Sequence, residues 1–212
     1  MIDSFFKTTK NIYAVGRNYT NHARELKNIV PEEPIIFSKS ISSLTTSKTL
    51  VFPANLNPIH FELEIVLRIG VRIDRDRFRS LDCVSHIGLG IDFTARELQN
   101  KLKDKGLPWH LSKNFQNSCY ISRLKSEFDL QKNYDFELYL NGNLRQSGNT
   151  ENMIFSSEKI LQYINRFTGL QKGDLVFTGT PEGVGAIESG DQLHIKCETL
   201  KIDSELKIQF VF

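Results

Sequence analysis

The segment Ile59-His60-Phe61-Glu62-Leu63-Glu64-Ile65-Val66-Leu67-Arg68-Ile69 alternates apolar and polar side chains over most of its length. Successive side chains of a β-strand point to opposite faces, so the apolar residues at odd positions from 61 to 69 share one face. The other face carries the polar side chains of His60, Glu62, Glu64 and Arg68. A half-buried strand with a solvated charged face has the same pattern, and E-x-E alone therefore does not identify a functional site.

Similar strand patterns recur along the chain, as short runs of β-branched and aromatic residues bounded by turn-forming residues. They fall at residues 12–15, 34–37, 61–69, 87–93, 134–142, 174–180, 192–198 and 205–212. Helical spacing is limited to residues 21–28, 94–105 and 157–166. The sequence predicts a mixed α+β fold, predominantly β, and its 212 residues fit one domain spanning 1–212.

Two of the helix starts are predicted from capping residues. Thr94 is expected to cap the second helix, with Glu97 returning the hydrogen bond in a T-x-x-E box. Asn21 is the predicted cap of the first helix, in which His22 and Glu25 are one turn apart.

The composition argues against several classes of protein. Lysine and arginine number 27 against 25 acidic residues, and no basic run is interleaved with aromatic residues, so nucleic acid is not an expected partner. No stretch resembles a signal peptide or a membrane span, which predicts a cytoplasmic protein without a membrane partner. Three cysteines lack the close spacing of a zinc site and are expected to be reduced and buried: Cys83, Cys119 and Cys197.

Asp92 follows an apolar and small run at 87–91, where an unpaired carboxylate is costly to bury. A nearby arginine or the N-terminus of the next helix can compensate its charge. If Asp92 instead lies beside Glu62 and Glu64, three like charges converge. A divalent cation that prefers oxygen ligands, Mg²⁺ or Mn²⁺, is then the simplest neutralising partner.

Three further segments carry groups suited to chemistry. His22 and Glu25 can touch across one helical turn and act as a general base, although a surface ion pair has the same spacing. Lys113 has aromatic flanks that favour partial burial, but a solvated lysine is the simpler interpretation. The glycine-rich segment 178–185 can present N–H groups to an anion or be an ordinary loop, and it lacks the ending of a phosphate-binding P-loop.

Together these motifs resemble the fumarylacetoacetate hydrolase family, in particular its short, single-domain acylpyruvase branch, over nearly the whole chain. The resemblance rests on Gly16-Arg17-Asn18-Tyr19 with His22 and Glu25, His60-Phe61-Glu62-Leu63-Glu64, Asp92-Phe93-Thr94-Ala95-Arg96 with Gln99, Gly106-Leu107-Pro108-Trp109, Ser112-Lys113-Asn114-Phe115 and the segment 177–185.

The resemblance implies a β-sandwich roll with a few short helices, usually dimeric, that acts on a small 2-oxo acid. It implies Mg²⁺, with Mn²⁺ as the alternative, held by Glu62, Glu64 and Asp92. The implied substrate-binding residues are Arg17, Arg96, Gln99 and Thr180. The implied catalytic residues are His22, Glu25 and Lys113. Longer relatives carry a further acidic ligand where this chain has Val15, so three protein ligands are expected.

The activity implied first is hydrolysis of the C–C bond of an acylpyruvate to a carboxylate and pyruvate, through a metal-bound pyruvate enolate. The retained pair of His22 and Glu25 favours it, because a decarboxylase does not need activated water. The same site can support an oxaloacetate decarboxylase or tautomerase, or a 2-hydroxyhepta-2,4-diene-1,7-dioate isomerase. A dicarboxylic substrate would need a distal cationic pocket, for which Arg24, Lys27 and Lys39 are candidates. From another class, a non-catalytic 2-oxo-acid-binding protein is the alternative.

Overall fold

The structure, a computed structural model that describes residues 7–25, 30–56, 58–73 and 81–211, is built mainly from β-strands. In the described part of the chain the helices are few and short, which confirms the predicted mixed fold that is predominantly β. Within those residues, no helix is both long enough and apolar enough to cross a membrane.

The elements follow one another along the chain with short connections. The strands are β1 (Ile12–Gly16), β2 (Ile35–Lys39), β3 (Leu44–Thr45), β4 (Thr49–Pro53), β5 (Ile59–Phe61), β6 (Leu63–Ile69), β7 (Val84–Asp92), β8 (Thr94–Ala95), β9 (Cys119–Ile121), β10 (Asp135–Leu140), β11 (Asn143–Asn149), β12 (Leu175–Phe177), β13 (Gly185–Ile187), β14 (Gln192–Cys197) and β15 (Ile202–Val211). The α-helices whose bounds lie within the described residues are α1 (Thr20–Glu25), α2 (Arg96–Asp104), α3 (His110–Lys113) and α4 (Ser157–Thr168).

The strands of the described residues form three sheets. The largest has seven strands in the order β2-β1-β12-β6-β7-β9-β3, and the second has five in the order β11-β10-β14-β15-β4. The smallest contains β13, β5 and β8. At the centre of the largest sheet β6 and β7 pair antiparallel, so the end of one strand lies beside the start of the other.

The segment that begins at Ile59 differs from a half-exposed strand in two respects. It breaks at Glu62 into β5 and β6, and both faces of β6 are buried from Leu63 to Leu67. The second face is covered because Val66 packs in a separate apolar cluster with residues of β1, β9 and β12. Glu62 and Glu64 are therefore enclosed, in contrast to a solvated charged face, while His60 and Arg68 are half-buried.

The helix predicted to start at Thr94 starts two residues later, at Arg96. Thr94 belongs to β8, where it pairs with His60, and its hydroxyl accepts a hydrogen bond from Lys113 Nζ at 2.6 Å. The residue before the helix, Ala95, provides no side-chain cap. The capping-box prediction was wrong because a tertiary contact uses the Thr94 hydroxyl.

The other helices agree more closely with their patterns. Helix α4 spans Ser157–Thr168, and the Ser156 hydroxyl caps it by accepting from Lys159 N. Helix α1 begins at Thr20, so Asn21 lies inside it and is not its cap. Residues 26–28 of that predicted helix lie outside the described residues. All three cysteines are free and buried, as predicted.

Asn18 ties together the segments that precede α1, follow β12 and precede α4. Its Oδ1 accepts from Phe155 N at 2.7 Å, and its Nδ2 donates to Phe155 O at 3.0 Å and Thr178 O at 2.7 Å. The side chain is fully buried. The adjacent residue Arg17 has φ 59°, a left-handed backbone conformation that a non-glycine residue adopts only where its surroundings fix it.

Replacing Asn18 with alanine should lower the free energy of unfolding by about 2–4 kcal/mol, because it leaves buried backbone groups without partners. Denaturant unfolding measures the change. The matched control is Asn100→Ala on the exposed face of α2, which we expect to be nearly neutral. Equal effects of the two substitutions would contradict the bridging role of Asn18.

Candidate active site

Three buried carboxylates converge where β5, β6 and β7 meet. Glu62 lies between β5 and β6, Glu64 is the second residue of β6, and Asp92 ends β7. Asp92 N donates to Glu62 O at 2.9 Å, which draws the two ends together. One carboxylate oxygen from each residue lies within 4.8 Å of the other two, and the residues are 6%, 1% and 0% exposed. This acidic triad is a group that can hold a metal ion.

Cations partly neutralise the acidic triad. Lys113 Nζ donates to Asp92 Oδ2 at 2.6 Å and to Glu62 Oε2 at 2.8 Å. Lys39 Nζ donates to Asp92 Oδ1 at 2.6 Å, and Arg96 forms an ion pair with Glu62. Asp92 is therefore paired with two lysines, and the arginine or helix terminus considered from the sequence is not its partner. Lys39 is buried at the triad and does not form a separate distal pocket.

The ionisation of the triad follows from the placement of these cations. Burial raises the pKa of Glu62, but the ammonium of Lys113 and the guanidinium of Arg96 outweigh it and hold that pKa below its ordinary value. Burial lowers the pKa of Lys113, but Asp92 and Glu62 outweigh it and raise that pKa. For Glu64, burial and then the charge of Asp92 raise the pKa well above its ordinary value.

Glu64 is the member of the triad that lacks a cation. Its Oε2 accepts the N–H of Gly179 at 2.6 Å, and among the described residues no basic side chain forms an ion pair with it. A divalent ion that prefers oxygen ligands fits this environment. Burial raises the pKa of the nearby Cys119 thiol to about 12, which keeps it protonated and leaves the carboxylates as the available anionic donors.

A histidine and a glutamate on α1 form a second group. His22 Nδ1 lies 3.3 Å from Glu25 Oε2, and the His22 side chain is buried while that of Glu25 is 34% exposed. Glu25 also accepts the N–H of Gly183 at 3.2 Å. Burial raises the pKa of Glu25, but the hydrogen bonds from His22 and Gly183 outweigh it and lower that pKa. Glu25 is thus an anion that orients the His22 ring.

Most of the residues predicted from the sequence to form a site line one cleft. Eight of the ten do so: Arg17, His22, Glu62, Glu64, Arg96, Gln99, Lys113 and Thr180. Asp92 lies directly beneath, bonded to Lys113, and Glu25 lies behind His22. Val15 also lines the cleft. Arg96 Nη1 donates to Gln99 Oε1 at 2.6 Å, which fixes both side chains.

Sequence reasoning missed the residues that hold the glycine-rich loop in place. Gln146 is fully buried, accepts from Leu63 N at 2.9 Å and donates to Thr180 Oγ1 at 2.8 Å. At Gly179 φ is +99°, and a Cβ there would lie 2.6 Å from the Asn18 Cβ. Gln146 gives no signal of its own in the sequence, because it stands in a polar stretch that is typical of an exposed strand.

The chain is similar to proteins of one family over almost its full length. Residues 11–205 match the family described as fumarylacetoacetate (FAA) hydrolase C-terminal. A Bos taurus protein named "Oxaloacetate tautomerase FAHD1, mitochondrial" is 37% identical over 196 residues, covering 91% of this chain and 89% of that protein. A Dictyostelium discoideum protein named "Oxaloacetate decarboxylase, mitochondrial" is 36% identical over 215 residues, covering 99% of this chain and 98% of that protein.

A solved structure shares the same arrangement of strands. Fumarylpyruvate hydrolase from Pseudomonas aeruginosa, in complex with Mn²⁺ and pyruvate, has a TM-score of 0.88 and 30% sequence identity, covering 96% of this chain and 91% of that chain. The names of the two sequence relatives include a mitochondrial location, so these relatives give no support to the predicted cytoplasmic location.

Proposed function

Because the chain belongs to the fumarylacetoacetate hydrolase family, we propose that it is a metal-dependent tautomerase that converts the enol form of oxaloacetate into the keto form. Members of this family are enzymes, and the similarity to fumarylpyruvate hydrolase confirms the predicted β-sandwich roll. The two sequence relatives, which are 37% and 36% identical to this chain, support oxaloacetate more strongly than the acylpyruvate expected first.

The observation behind the proposal is that the buried His22 lines the same cleft as Glu62 and Glu64 of the acidic triad. Tautomerisation moves one proton from the enol oxygen at C2 to the carbon at C3, with no other reactant and no net change in protons. It therefore needs a group that binds the 2-oxo acid and a group that carries a proton beside it. Glu62 and Glu64 belong to the group that binds the 2-oxo acid, and His22 is the group that carries the proton.

The metal expected at the acidic triad is Mg²⁺, with Mn²⁺ as a substitute. When bound, it would polarise the oxygens of the 2-oxo acid and stabilise negative charge on them. The oxygen donors, the burial of the triad and the unpaired Glu64 support this assignment. The complex of the Pseudomonas aeruginosa enzyme with Mn²⁺ and pyruvate is consistent with it.

The remaining cleft residues bind the substrate and move the proton. Arg17, Arg96, Gln99 and Thr180 orient its oxygens by hydrogen bonds. Lys113 keeps its proton, because its pKa is raised, and stabilises the negative charge that develops on the substrate. His22, which lines the cleft, transfers a proton at C3 of the bound molecule. Glu25 acts through His22 by holding its ring in position.

Hydrolysis of an acylpyruvate is the second candidate. The pair of His22 and Glu25 can also deprotonate a water molecule, and the similarity to fumarylpyruvate hydrolase favours such a reaction. Loss of CO₂ from oxaloacetate is the competing outcome at the same site, as the name of the Dictyostelium discoideum relative indicates. It needs no water and leaves pyruvate as the product.

The test is the rate of enol consumption by metal-stripped protein with and without added Mg²⁺, followed by ultraviolet absorbance. We expect Mg²⁺ to accelerate the loss of enol-oxaloacetate by at least about 100-fold, without matching release of pyruvate. Pyruvate released at the same rate would identify a decarboxylase, and turnover of acetylpyruvate alone would identify a hydrolase. No turnover of any of these compounds would contradict the enzymatic proposal and favour a binding protein.

A further inference from the structure

One face of α2 leads from the acidic triad to the mouth of the cleft. Arg96, Gln99 and Lys103 are spaced i, i+3 and i+7, so they lie on the same side of the helix. Arg96 is paired with Glu62 at the inner end. Lys103 lies about 10 Å further along the helix axis and also lines the cleft.

The surroundings of Lys103 hold positive charge that the protein does not neutralise. Lys103 is half-buried, with Nζ 4.9 Å from the centre of the Trp109 ring, and Arg17 lines the same cleft. Among the described residues, neither Lys103 nor Arg17 forms an ion pair with a carboxylate. Burial, then Arg96, Arg17 and Lys113, lowers the pKa of Lys103 to about 8.

The inner cations of the cleft are different. Lys39, Lys113 and Arg96 each contact a carboxylate of the acidic triad, so their charges are compensated within the protein. At the outer end of the cleft, burying two cations that have no carboxylate partner costs free energy. An anion that binds from solution would remove this cost. Trp109 supplies an apolar wall for the carbon chain that would connect such an anion to the triad.

We propose that Lys103 and Arg17 bind the distal carboxylate of a dicarboxylic 2-oxo acid whose 2-oxo-carboxylate end lies at the acidic triad. This inference rests on the proposed function, since it takes a 2-oxo acid as the substrate. It makes Lys103 the residue that distinguishes dicarboxylic from monocarboxylic 2-oxo acids. A charge-assisted contact from a half-buried lysine gives this selection without any role in the proton transfer.

The sequence directs attention to other residues for this role. Arg24 is exposed on α1, Lys27 lies outside the described residues, and Lys39 is paired with Asp92. Lys103 has the pattern of a solvated helix lysine, because Lys101 and Lys105 stand on either side of it. Only the orientation of α2 shows that Lys103 faces the cleft, whereas Lys101 and Lys105 are exposed.

The test compares two inert ligands that differ only at the distal end, 2-oxoglutarate and 2-oxopentanoate, by calorimetry in the presence of Mg²⁺. We expect wild-type protein to prefer 2-oxoglutarate, and Lys103→Met to reduce that preference about tenfold without weakening 2-oxopentanoate. Lys103→Arg, which keeps the charge, should retain most of the preference. Lys101→Met is the matched control, because Lys101 is 72% exposed on the same helix, and it should change neither affinity.

The outcomes separate this inference from the proposed function. An unchanged preference in Lys103→Met, or an equal loss of affinity for both ligands, would overturn the distal subsite while leaving the 2-oxo-acid site in place. Loss of the preference in Lys101→Met would overturn it as well, because the effect would then come from general surface charge. Failure of wild-type protein to bind either ligand would overturn the proposed function and the subsite together.

Discussion

Replacing Glu64 with glutamine should weaken binding of Mg²⁺ or Mn²⁺ by at least about 100-fold and lower turnover of the 2-oxo acid by about 1000-fold. The metal-free protein should nevertheless be as stable as wild type. Glutamine has the same shape and can still accept the N–H of Gly179. Burial and the charge of Asp92 raise the pKa of Glu64 well above its ordinary value, so keeping this carboxyl ionised opposes folding when no metal is bound, and glutamine removes that cost.

Thermal unfolding with and without metal measures both parts of this prediction. Wild-type protein should unfold at a higher temperature when metal is added, since a ligand that binds only the folded state stabilises it. The Glu64→Gln protein should lose that increase. Glu205→Gln is the matched control, because Glu205 is also a strand residue but faces solvent. A metal-dependent increase that survives in Glu64→Gln would exclude the acidic triad as the metal site.

Replacing Glu25 with glutamine should lower kcat by about 100- to 1000-fold while KM and metal affinity stay close to wild type. Glu25 contacts His22 and lies outside the cleft lining, so its loss affects the proton carrier and not the binding of substrate or metal. Steady-state kinetics on enol-oxaloacetate, together with calorimetry of Mg²⁺, separates these quantities.

A double-variant cycle distinguishes positioning of His22 from a general structural effect. If Glu25 acts through His22, the substitution should cost little further activity in a His22→Gln background. Glu25→Asp, which keeps the charge on a shorter side chain, should recover part of kcat. Additive losses in the double variant, or a change confined to KM, would contradict the role assigned to Glu25.

The spacing of apolar residues predicted the fold well in segments where burial follows the local sequence pattern. The alternation from Leu63 to Ile69 and the helical spacing of 157–166 reflect apolar side chains that face one core, and both segments form regular elements. The pattern failed at Thr94, whose hydroxyl bonds a lysine 19 positions away. Local propensity contains no information about such a contact. The single domain, the homodimer and the cytoplasmic location stay predictions.

The candidate site was predictable in its members but not in its internal pairing. The motifs around His22, Glu62 and Asp92 identified residues that the structure brings together. Lys39 was expected in a distal pocket, not as a partner of Asp92, and Gln146 was not predicted at all, because each contacts the site across more than 50 positions of sequence. A residue whose role depends on such a long-range contact has the same local sequence pattern as a solvent-exposed residue. Its role can therefore be recognised only once the strand order is known.

Two of the three parallel strand pairs among the described residues also determine when during folding the site can exist. Ile12 pairs with Leu175 in one sheet, and Leu50 pairs with Ile208 in the other, so each pair closes most of the chain into a loop. Contacts of such high sequence separation form late and slow the folding of a chain. A nascent polypeptide would therefore be unable to bind substrate until its C-terminal strands have left the ribosome. When the unfolded protein is allowed to refold, its ability to bind substrate should return only in the slowest phase.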